Sequence, residues 1–295
     1  TVNAAAQTGL PANLAADLVQ ALLDPRRRAV RAQQLAAISA ELNEPRAIAQ
    51  RVLIPLLYGA NHPYGIAPSG LGSKAAVERV SQADLTAFHR GWFRPERATI
   101  LVVGDTSLAE VTRLLEASFG DWRALSEPLA IKDYSAPIPA QTSRIILVDR
   151  PASPQSMIYV GKVLNAKGTD DLVRLNTAND ILGGNFLSRI NMNLREDKGW
   201  SYGVRSGVSQ PLNQVAFTLR APVQSDRTGD SIAEIRRQIA EFSSTKGVTA
   251  EELQWSTMGS ARQLPGQFET SGEVLGGLAS IVTYGRADDY YETLA

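Results

Sequence analysis

The sequence has 295 residues, with 30 Lys and Arg against 30 Asp and Glu, so its formal net charge at pH 7 is zero. A neutral chain has no general electrostatic attraction to nucleic acid or to an anionic membrane surface, and we expect no nucleic-acid partner. The sequence contains no cysteine, which excludes disulfide bonds and thiolate metal sites. No apolar stretch is long enough to predict a membrane-spanning helix. The length is typical of two domains.

The first part of the chain is predicted to be mostly helical. Apolar residues recur at helical spacing, Pro45 suits the first turn of a helix, and Ser81 and Asp84 form a capping box. The continuous apolar run at 98–103 predicts a buried strand. The predicted elements are helices at 10–23, 26–42 and 45–58, a helix that opens at Ser81, the strand at 98–103, and a helix carrying Leu108, Val111 and Leu115.

Residues 128–142 contain three prolines without periodicity and are interpreted as an interdomain linker. The expected domains are therefore 1–127 and 143–295. In the second domain, Thr249 and Glu252 form another capping box. The predicted elements there are strands at 144–149 and 156–163, helices at 169–182 and 186–194, an antiparallel strand pair at 200–208 and 214–221, and helices at 226–242, 249–263 and onwards to about residue 282.

The order of elements in the first domain recurs in the second. The first set is helix 10–23, helix 26–42, Pro45 and a helix that ends at Tyr58-Gly59. The second set is helix 226–242, helix 249–263, Pro265 and a helix that ends at Tyr284-Gly285. The repeat predicts two similar domains that are both incomplete, with an open sheet edge where a strand is missing. We therefore expect the chain to be a fragment.

Metal-binding and nucleophilic motifs are absent from the sequence. The two histidines, His62 and His89, are far apart and do not form the H-x-x-E-H pair that places two imidazoles on one helix face. A loop-fixing hydrogen bond is the plain interpretation of His62. There is no cysteine and no serine in a G-x-S-x-G turn. We do not expect the chain to carry out hydrolysis alone.

The densest candidate site is the stretch 182–207, which contains Arg195 near a predicted helix end and Tyr202 just inside a predicted strand. Two hydrogen-bond donors on separate rigid elements are suited to holding a peptide backbone or an oxyanion. A structural interpretation stands beside this one. An Arg at a helix C-terminus complements the helix dipole, and a Tyr in a strand commonly packs against its cross-strand neighbour.

The sequence resembles the pitrilysin/insulinase family of zinc metallopeptidases, which includes the mitochondrial processing peptidase. The resemblance to the second domain of that family is carried by Leu182-Gly-Gly, by Ser188-Arg-Ile and by Asn193-Leu-Arg-Glu-Asp-Lys-Gly-Trp-Ser-Tyr-Gly203. Landmarks similar to the first domain are Leu56-Leu-Tyr-Gly, His62-Pro-Tyr-Gly65 and Val102-Val-Gly-Asp105. The resemblance extends over nearly the whole chain.

The resemblance implies an α+β fold of two similar domains, each an antiparallel sheet with helices packed on one face. Family members form a clamshell whose halves enclose an unfolded peptide. One half binds zinc through H-x-x-E-H and a downstream Glu, and the other supplies an Arg and a Tyr. These map onto Arg195 and Tyr202, which the resemblance assigns to peptide binding and to stabilising the transition state.

The chain departs from the zinc-binding pattern. The third zinc ligand is expected near 34–38, where the sequence reads Gln-Leu-Ala-Ala-Ile, and the nearest carboxylate is Glu41 one turn later. We therefore expect a non-zinc subunit with no metal ligand in this chain, partnered by a zinc-bearing subunit of the same family. The alternatives are a zinc peptidase whose H-x-x-E-H lies upstream of residue 1, and a catalytically silent structural or peptide-holding subunit. The bacterial periplasm is the expected location, with the cytoplasm as the alternative.

Overall fold

The computed structural model describes residues 26–294, so the helix predicted at 10–23 lies outside the described residues. The described chain groups into two compact units, the first containing residues 26–41 and 69–133, and the second containing 42–68 and 134–294. Residues 42–68 thus group with the second unit although they precede the proline-rich segment. The domain boundaries expected from the sequence stay a prediction.

The described elements are helices joined to one antiparallel sheet, which confirms the α+β class. In chain order they are α1 (Arg26–Glu41), α2 (Pro45–Tyr58), α3 (Lys74–Arg79), α4 (Gln82–Trp92), α5 (Leu108–Phe119), β1 (Gln155–Lys167), α6 (Val173–Asn179), α7 (Arg189–Asn191), β2 (Arg205–Val208), β3 (Gln214–Gln224), α8 (Thr228–Phe242), α9 (Ala250–Gln263) and α10 (Ser271–Tyr284). In the described part of the chain, no helix is both long enough and apolar enough to cross a membrane.

Both predicted capping boxes are confirmed. The Ser81 hydroxyl accepts a hydrogen bond from the Asp84 backbone amide, and the Asp84 carboxylate accepts one from the Ser81 amide at 2.8 Å. Thr249 and Glu252 make the same reciprocal pair at the start of α9. Each box satisfies backbone N–H groups that have no partner inside the helix, which fixes where α4 and α9 begin.

Two predicted strands are wrong. Residues 98–103 and 144–149 contain no strand. Their side chains lie largely in solvent, with Ile100 48% and Leu147 86% exposed. An apolar run indicates β propensity, but a strand also requires a neighbouring strand for its backbone hydrogen bonds. The described residues supply no such partner for either segment.

The sheet lies in the second unit and has the strand order β1-β3-β2, with both pairs antiparallel. The pairing of β2 with β3 confirms the predicted strand pair. One face of this sheet forms the main core with α7, α8 and the segments next to them. The core residues exposed by 2% or less are Ile190, Leu194, Val204, Leu219, Ala221, Val223 and Ile235. Full burial of one such Leu, Ile or Val contributes about 1.5–3 kcal/mol, so this unit is held mainly by apolar contacts.

The other face of the sheet is contacted by α2, a feature that was not expected from the sequence. Leu53 and Leu57 of α2 approach Gly161 of β1 so closely that a Cβ there would lie 2.7 Å from a Leu57 methyl carbon. The Tyr58 hydroxyl at the end of α2 donates to the Gln214 carbonyl at 3.0 Å. The missing side chain of Gly161 therefore lets the helix lie directly on the strand.

Candidate functional site

Arg195 lies on a short helical segment whose inner side is fully buried. This segment begins as α7 and continues as a π-helical turn over Met192–Asp197. Ile190 and Leu194 anchor it in the core. The backbone amides of Trp200 and Ser201 donate to the Leu194 carbonyl, and Gly199 adopts φ of +66°, which ends the helix in the left-handed conformation that favours glycine. Arg195 is thus held one turn before a tightly defined reversal of the chain.

Tyr202 lies in the connection that follows this reversal. The prediction that it sits inside a strand is wrong, since β2 begins at Arg205. The connection is nevertheless fixed to the sheet, because Ser201 forms an isolated bridge with Val223 and its hydroxyl donates to the Pro222 carbonyl at 2.6 Å. The Tyr202 side chain points away from these contacts and is 85% exposed. A fixed backbone therefore presents a phenol to solvent.

Asn191 ties the two halves of the site together. Its side chain is completely buried, donates to the Phe186 carbonyl at 2.5 Å, and accepts from the Val204 amide at 2.7 Å. A buried amide that uses both of its ends in this way fixes the distance between the segments it joins. Asn191 accordingly sets the loop at Phe186 against the entry to β2.

The side chains of Arg195 and Tyr202 are in contact in the structure. The Arg195 Cζ lies 5.1 Å from the centre of the Tyr202 ring and 4.6 Å from that of Phe186. Its Nε lies 3.0 Å from a carboxylate oxygen of Glu196. Cations stack on aromatic faces at these distances, so the two rings orient the guanidinium.

Arg195 lies in the last turn of its helical segment, where its charge complements the helix dipole as the structural interpretation expects. In the described part of the chain, Arg195 makes no hydrogen bond to the carbonyls at the end of its own helix, and the Tyr202 ring is not packed against a cross-strand neighbour. Instead, a guanidinium with several N–H donors lies beside an exposed phenolic O–H. Such a pair can donate hydrogen bonds to peptide carbonyls or to an oxyanion.

Arg189 fixes the start of α7, the helix that continues into the π-helical turn carrying Arg195. Its Nε and Nη2 lie 2.6 and 2.5 Å from the two carboxylate oxygens of Glu252 in a bidentate ion pair. It also donates to the carbonyls of Lys246 and Gly247, and its Cζ lies 5.1 Å from the centre of the Phe242 ring. The hydrogen bond from Arg189 lowers the pKa of Glu252. The beginning of α7 is thereby fixed to the first turn of α9.

Phe186 and Arg205 are site residues that the sequence analysis missed. Phe186 contacts Arg195, and the Arg205 Cζ lies 5.8 Å from the centre of the same ring. Both belong to the stretch 182–207, but their spacing carried no recognisable signal. The available clue was an aromatic residue two positions after Gly184, in a stretch already rich in cations.

The described residues contain no group of three or more His, Asp or Glu that could hold a metal ion. His62 is buried, its Nδ1 accepts from the Tyr64 amide at 3.1 Å, and its ring stacks on Tyr58. This is the loop-fixing role expected for it. At the window expected for a third zinc ligand, Gln34 donates to the Leu71 carbonyl and Ile38 is buried.

Comparison with known proteins identifies the relatives of the chain. An uncharacterised zinc protease of Mycobacterium tuberculosis is 24% identical over 211 residues, which cover 71% of this chain and 47% of that protein. The non-peptidase homolog YmxG of Helicobacter pylori is 24% identical over 230 residues, covering 76% of this chain and 50% of its own. The chain thus spans about half the length of the curated relatives it matches.

A solved structure, described as a protease from Helicobacter pylori, has the same fold. It is 20% identical, with a TM-score of 0.77, over 92% of this chain and 64% of its own. The family model described as the peptidase M16 inactive domain matches residues 79–255, which include α7, Arg195, Tyr202 and the whole sheet. This match confirms the resemblance found in the sequence: the chain belongs to the peptidase M16 inactive-domain family.

Proposed function

We propose that the protein is the non-zinc accessory subunit of a heterodimeric metallopeptidase. In this proposal Arg195 and Tyr202 bind an unfolded peptide and stabilise the transition state at the zinc site of a partner subunit of the same family. The observation that carries the proposal is the contact between the Arg195 guanidinium and the exposed Tyr202 ring. Zinc would be held by the partner, and this chain would supply only hydrogen-bond donors.

The geometry supports separate roles for the two side chains. Arg195 has its orientation fixed by two rings and keeps several N–H groups for peptide carbonyls. The Tyr202 hydroxyl is free to approach a bound peptide and can donate to the oxygen that becomes negatively charged when water attacks the carbonyl. Neither residue generates the nucleophile, which has to come from the metal half of the site.

Substitution of the pair in the assembled complex tests this function. We expect Tyr202→Phe to lower kcat by roughly 10²–10³-fold, the usual loss for one oxyanion donor, and Arg195→Ala to raise KM as well as to lower kcat. Arg236→Ala removes the same charge from an exposed position on α8 and serves as the control. Size-exclusion chromatography checks that each variant still assembles. Normal turnover in both site variants would contradict the proposal.

Two alternatives keep specific support. A zinc peptidase with its metal-binding helix upstream of residue 1 is favoured by the relatives named zinc protease. An H-x-x-E-H motif encoded upstream, together with stoichiometric zinc in the purified protein, would select it.

A silent structural or peptide-holding subunit is favoured by the relative named as a non-peptidase homolog. Unchanged turnover together with retained peptide binding would select that alternative.

The proposed location is the bacterial periplasm. The chain has no cysteine that an oxidising compartment would act upon, and its composition is rich in alanine. Fractionation of cells that express the natural gene, with one periplasmic and one cytoplasmic marker protein, tests this location directly.

A further inference from the structure

Arg205 and Arg220 form an unusual pair on the sheet. They are directly opposite each other in the antiparallel pairing of β2 with β3. Like charges placed directly opposite each other on neighbouring strands repel and are destabilising, whereas an opposite-charge pair is stabilising. Within residues 29–294, no carboxylate lies within ion-pair distance of either guanidinium.

The two arginines lie on the sheet face away from the main core. Side chains alternate between the two faces of a strand, and Leu219, next to Arg220, belongs to the core. Tyr159 of β1 is the opposite neighbour of Arg220, so Arg205, Arg220 and Tyr159 form one row across the sheet. The Tyr159 hydroxyl accepts a hydrogen bond from the Gln50 side chain of α2 at 2.8 Å, so α2 lies at the β1 end of this row.

The other end of the row leads to Arg195. Arg205 and Arg195 both contact the Phe186 ring, with Cζ at 5.8 and 4.6 Å from its centre. Arg205 also donates to the carbonyls of Asn185 and Val204, which holds its guanidinium beside the loop. A positively charged strip thus runs from Arg195 through Arg205 to Arg220, and Glu196 beside Arg195 is the carboxylate paired with it in the described chain.

We propose that Arg205 and Arg220 bind a carboxylate side chain of the peptide held by Arg195 and Tyr202, so that the site prefers Asp- and Glu-containing segments. This inference rests on the proposed peptide-binding function. Arg195 and Tyr202 are assigned to the peptide backbone, and side chains project from an extended backbone toward neighbouring surfaces. Guanidinium groups bind carboxylates through paired N–H donors, and a bound carboxylate would also relieve the repulsion between the two arginines.

Binding of matched peptides to the whole chain tests the preference. The probes are fluorescein-labelled twelve-residue peptides with blocked ends, carrying either Glu or Gln at alternate positions, and fluorescence anisotropy reports binding. We expect the Glu peptide to bind about fivefold more tightly at low salt, with the ratio falling as salt is raised. Arg205→Gln and Arg220→Gln should each bring the ratio close to one, whereas Arg220→Lys should keep part of it.

Two control variants separate the possible outcomes. Arg236→Gln removes the same charge from α8 and should leave the Glu-to-Gln ratio unchanged. Arg195→Ala should weaken both peptides by the same factor, because it acts on the backbone. Urea unfolding checks folding, and Arg220→Gln should be at least as stable as the natural protein, since it removes a repulsion.

Three results would overturn the inference. Equal binding of the Glu and Gln peptides contradicts the acidic preference alone and leaves the proposed function standing. A Gln peptide with a free C-terminus that binds as tightly as the Glu peptide would assign the arginines to a terminal carboxylate. Failure of the natural protein to bind any of the peptides contradicts the proposed peptide site as well.

Discussion

The two compact units are stabilised in different ways. In the second unit, fully buried side chains such as Ile190, Leu194 and Leu219 meet across a sheet and its helices. Exposed apolar side chains occur in both units, but among the described residues of the first unit Ile38 is the one apolar side chain that is buried, and Leu108 and Leu114 are 84% and 51% exposed.

The clearest buried feature of the first unit is polar. Arg94 is 2% exposed and donates to Glu96 at 2.9 Å and to the carbonyls of Leu125 and Glu127 at 2.8 and 3.0 Å. One guanidinium thus joins three positions of the chain, whereas the main core of the second unit is a cluster of buried apolar side chains.

The difference shows what an amphipathic pattern specifies. The helices of both units have the predicted periodicity, but only the second unit has a paired sheet among the described residues, and its apolar stripes are buried against that sheet. The periodicity of a sequence determines which side of a helix is apolar. It does not determine which other element packs against that side. The candidate site lies on the unit that contains the paired sheet and the main core, and its geometry depends on that core.

The largest expected effect is a core truncation in the second unit. Leu219→Ala should lower the free energy of unfolding by about 3 kcal/mol, because it removes a fully buried side chain and leaves a cavity between β3 and α8. Urea unfolding followed by circular dichroism measures the loss. Leu114→Ala on α5 is the matched control and should cost no more than about 0.5 kcal/mol, since Leu114 is already half exposed. Equal losses at the two positions would contradict the proposed contrast between the units.

The sequence predicted the helices better than the sheet. Capping boxes at Ser81 and Thr249 are local signals, because the partner lies three residues away, and both are confirmed. The strands at 98–103 and 144–149 were wrong because strand formation depends on a partner that is distant in sequence. The packing of α2 on Gly161 was missed for the same reason.

A smaller effect is expected from the amide that holds the site together. Asn191→Ala should cost about 2 kcal/mol, because it removes two hydrogen bonds and leaves the buried Val204 amide without its acceptor. Thermal and urea unfolding measure this loss. In the assembled complex, turnover should fall further than stability explains, since Phe186 and the entry to β2 lose their fixed spacing. Asn165→Ala, at an exposed position of β1, should change neither quantity.

Asn191 also illustrates which residues of the candidate site could be predicted from the sequence and which could not. Arg195 and Tyr202 were chosen because the family resemblance marks them, and the structure places the Arg195 guanidinium beside the Tyr202 ring. Phe186, Asn191 and Arg205 hold or extend that contact through burial and stacking. No spacing in the sequence distinguishes a buried bridging Asn from any other Asn.

The smallest effects concern the two predicted capping boxes, at Ser81 in the first unit and at Thr249 in the second. Hydrogen bonds from Ser81 lower the pKa of Asp84, whereas at Glu252 the hydrogen bond from Arg189 is the larger cause and the Thr249 bonds add to it. Glu252→Gln should therefore cost about 1 kcal/mol at pH 7, and Asp84→Asn should cost less.

The pH dependence gives a sharper form of this comparison. A carboxylate whose pKa is lowered on folding contributes its full stability above the unfolded pKa, about 4.3 for Glu and 3.9 for Asp, and loses it as the pH falls through the folded value. The stability gap between the natural protein and Glu252→Gln should thus be constant from pH 7 to about 5 and shrink below about 4.3. Urea unfolding at a series of pH values measures the gap for both variants.

Equal gaps at the two boxes would mean that Arg189 adds nothing to the cap of α9. A gap that widens as the pH falls would mean that the pKa of Glu252 is raised on folding and not lowered. The Arg189–Glu252 bridge joins α9 to the helix that carries Arg195, so a larger gap at Glu252 would also measure how firmly the second unit holds the start of its candidate site.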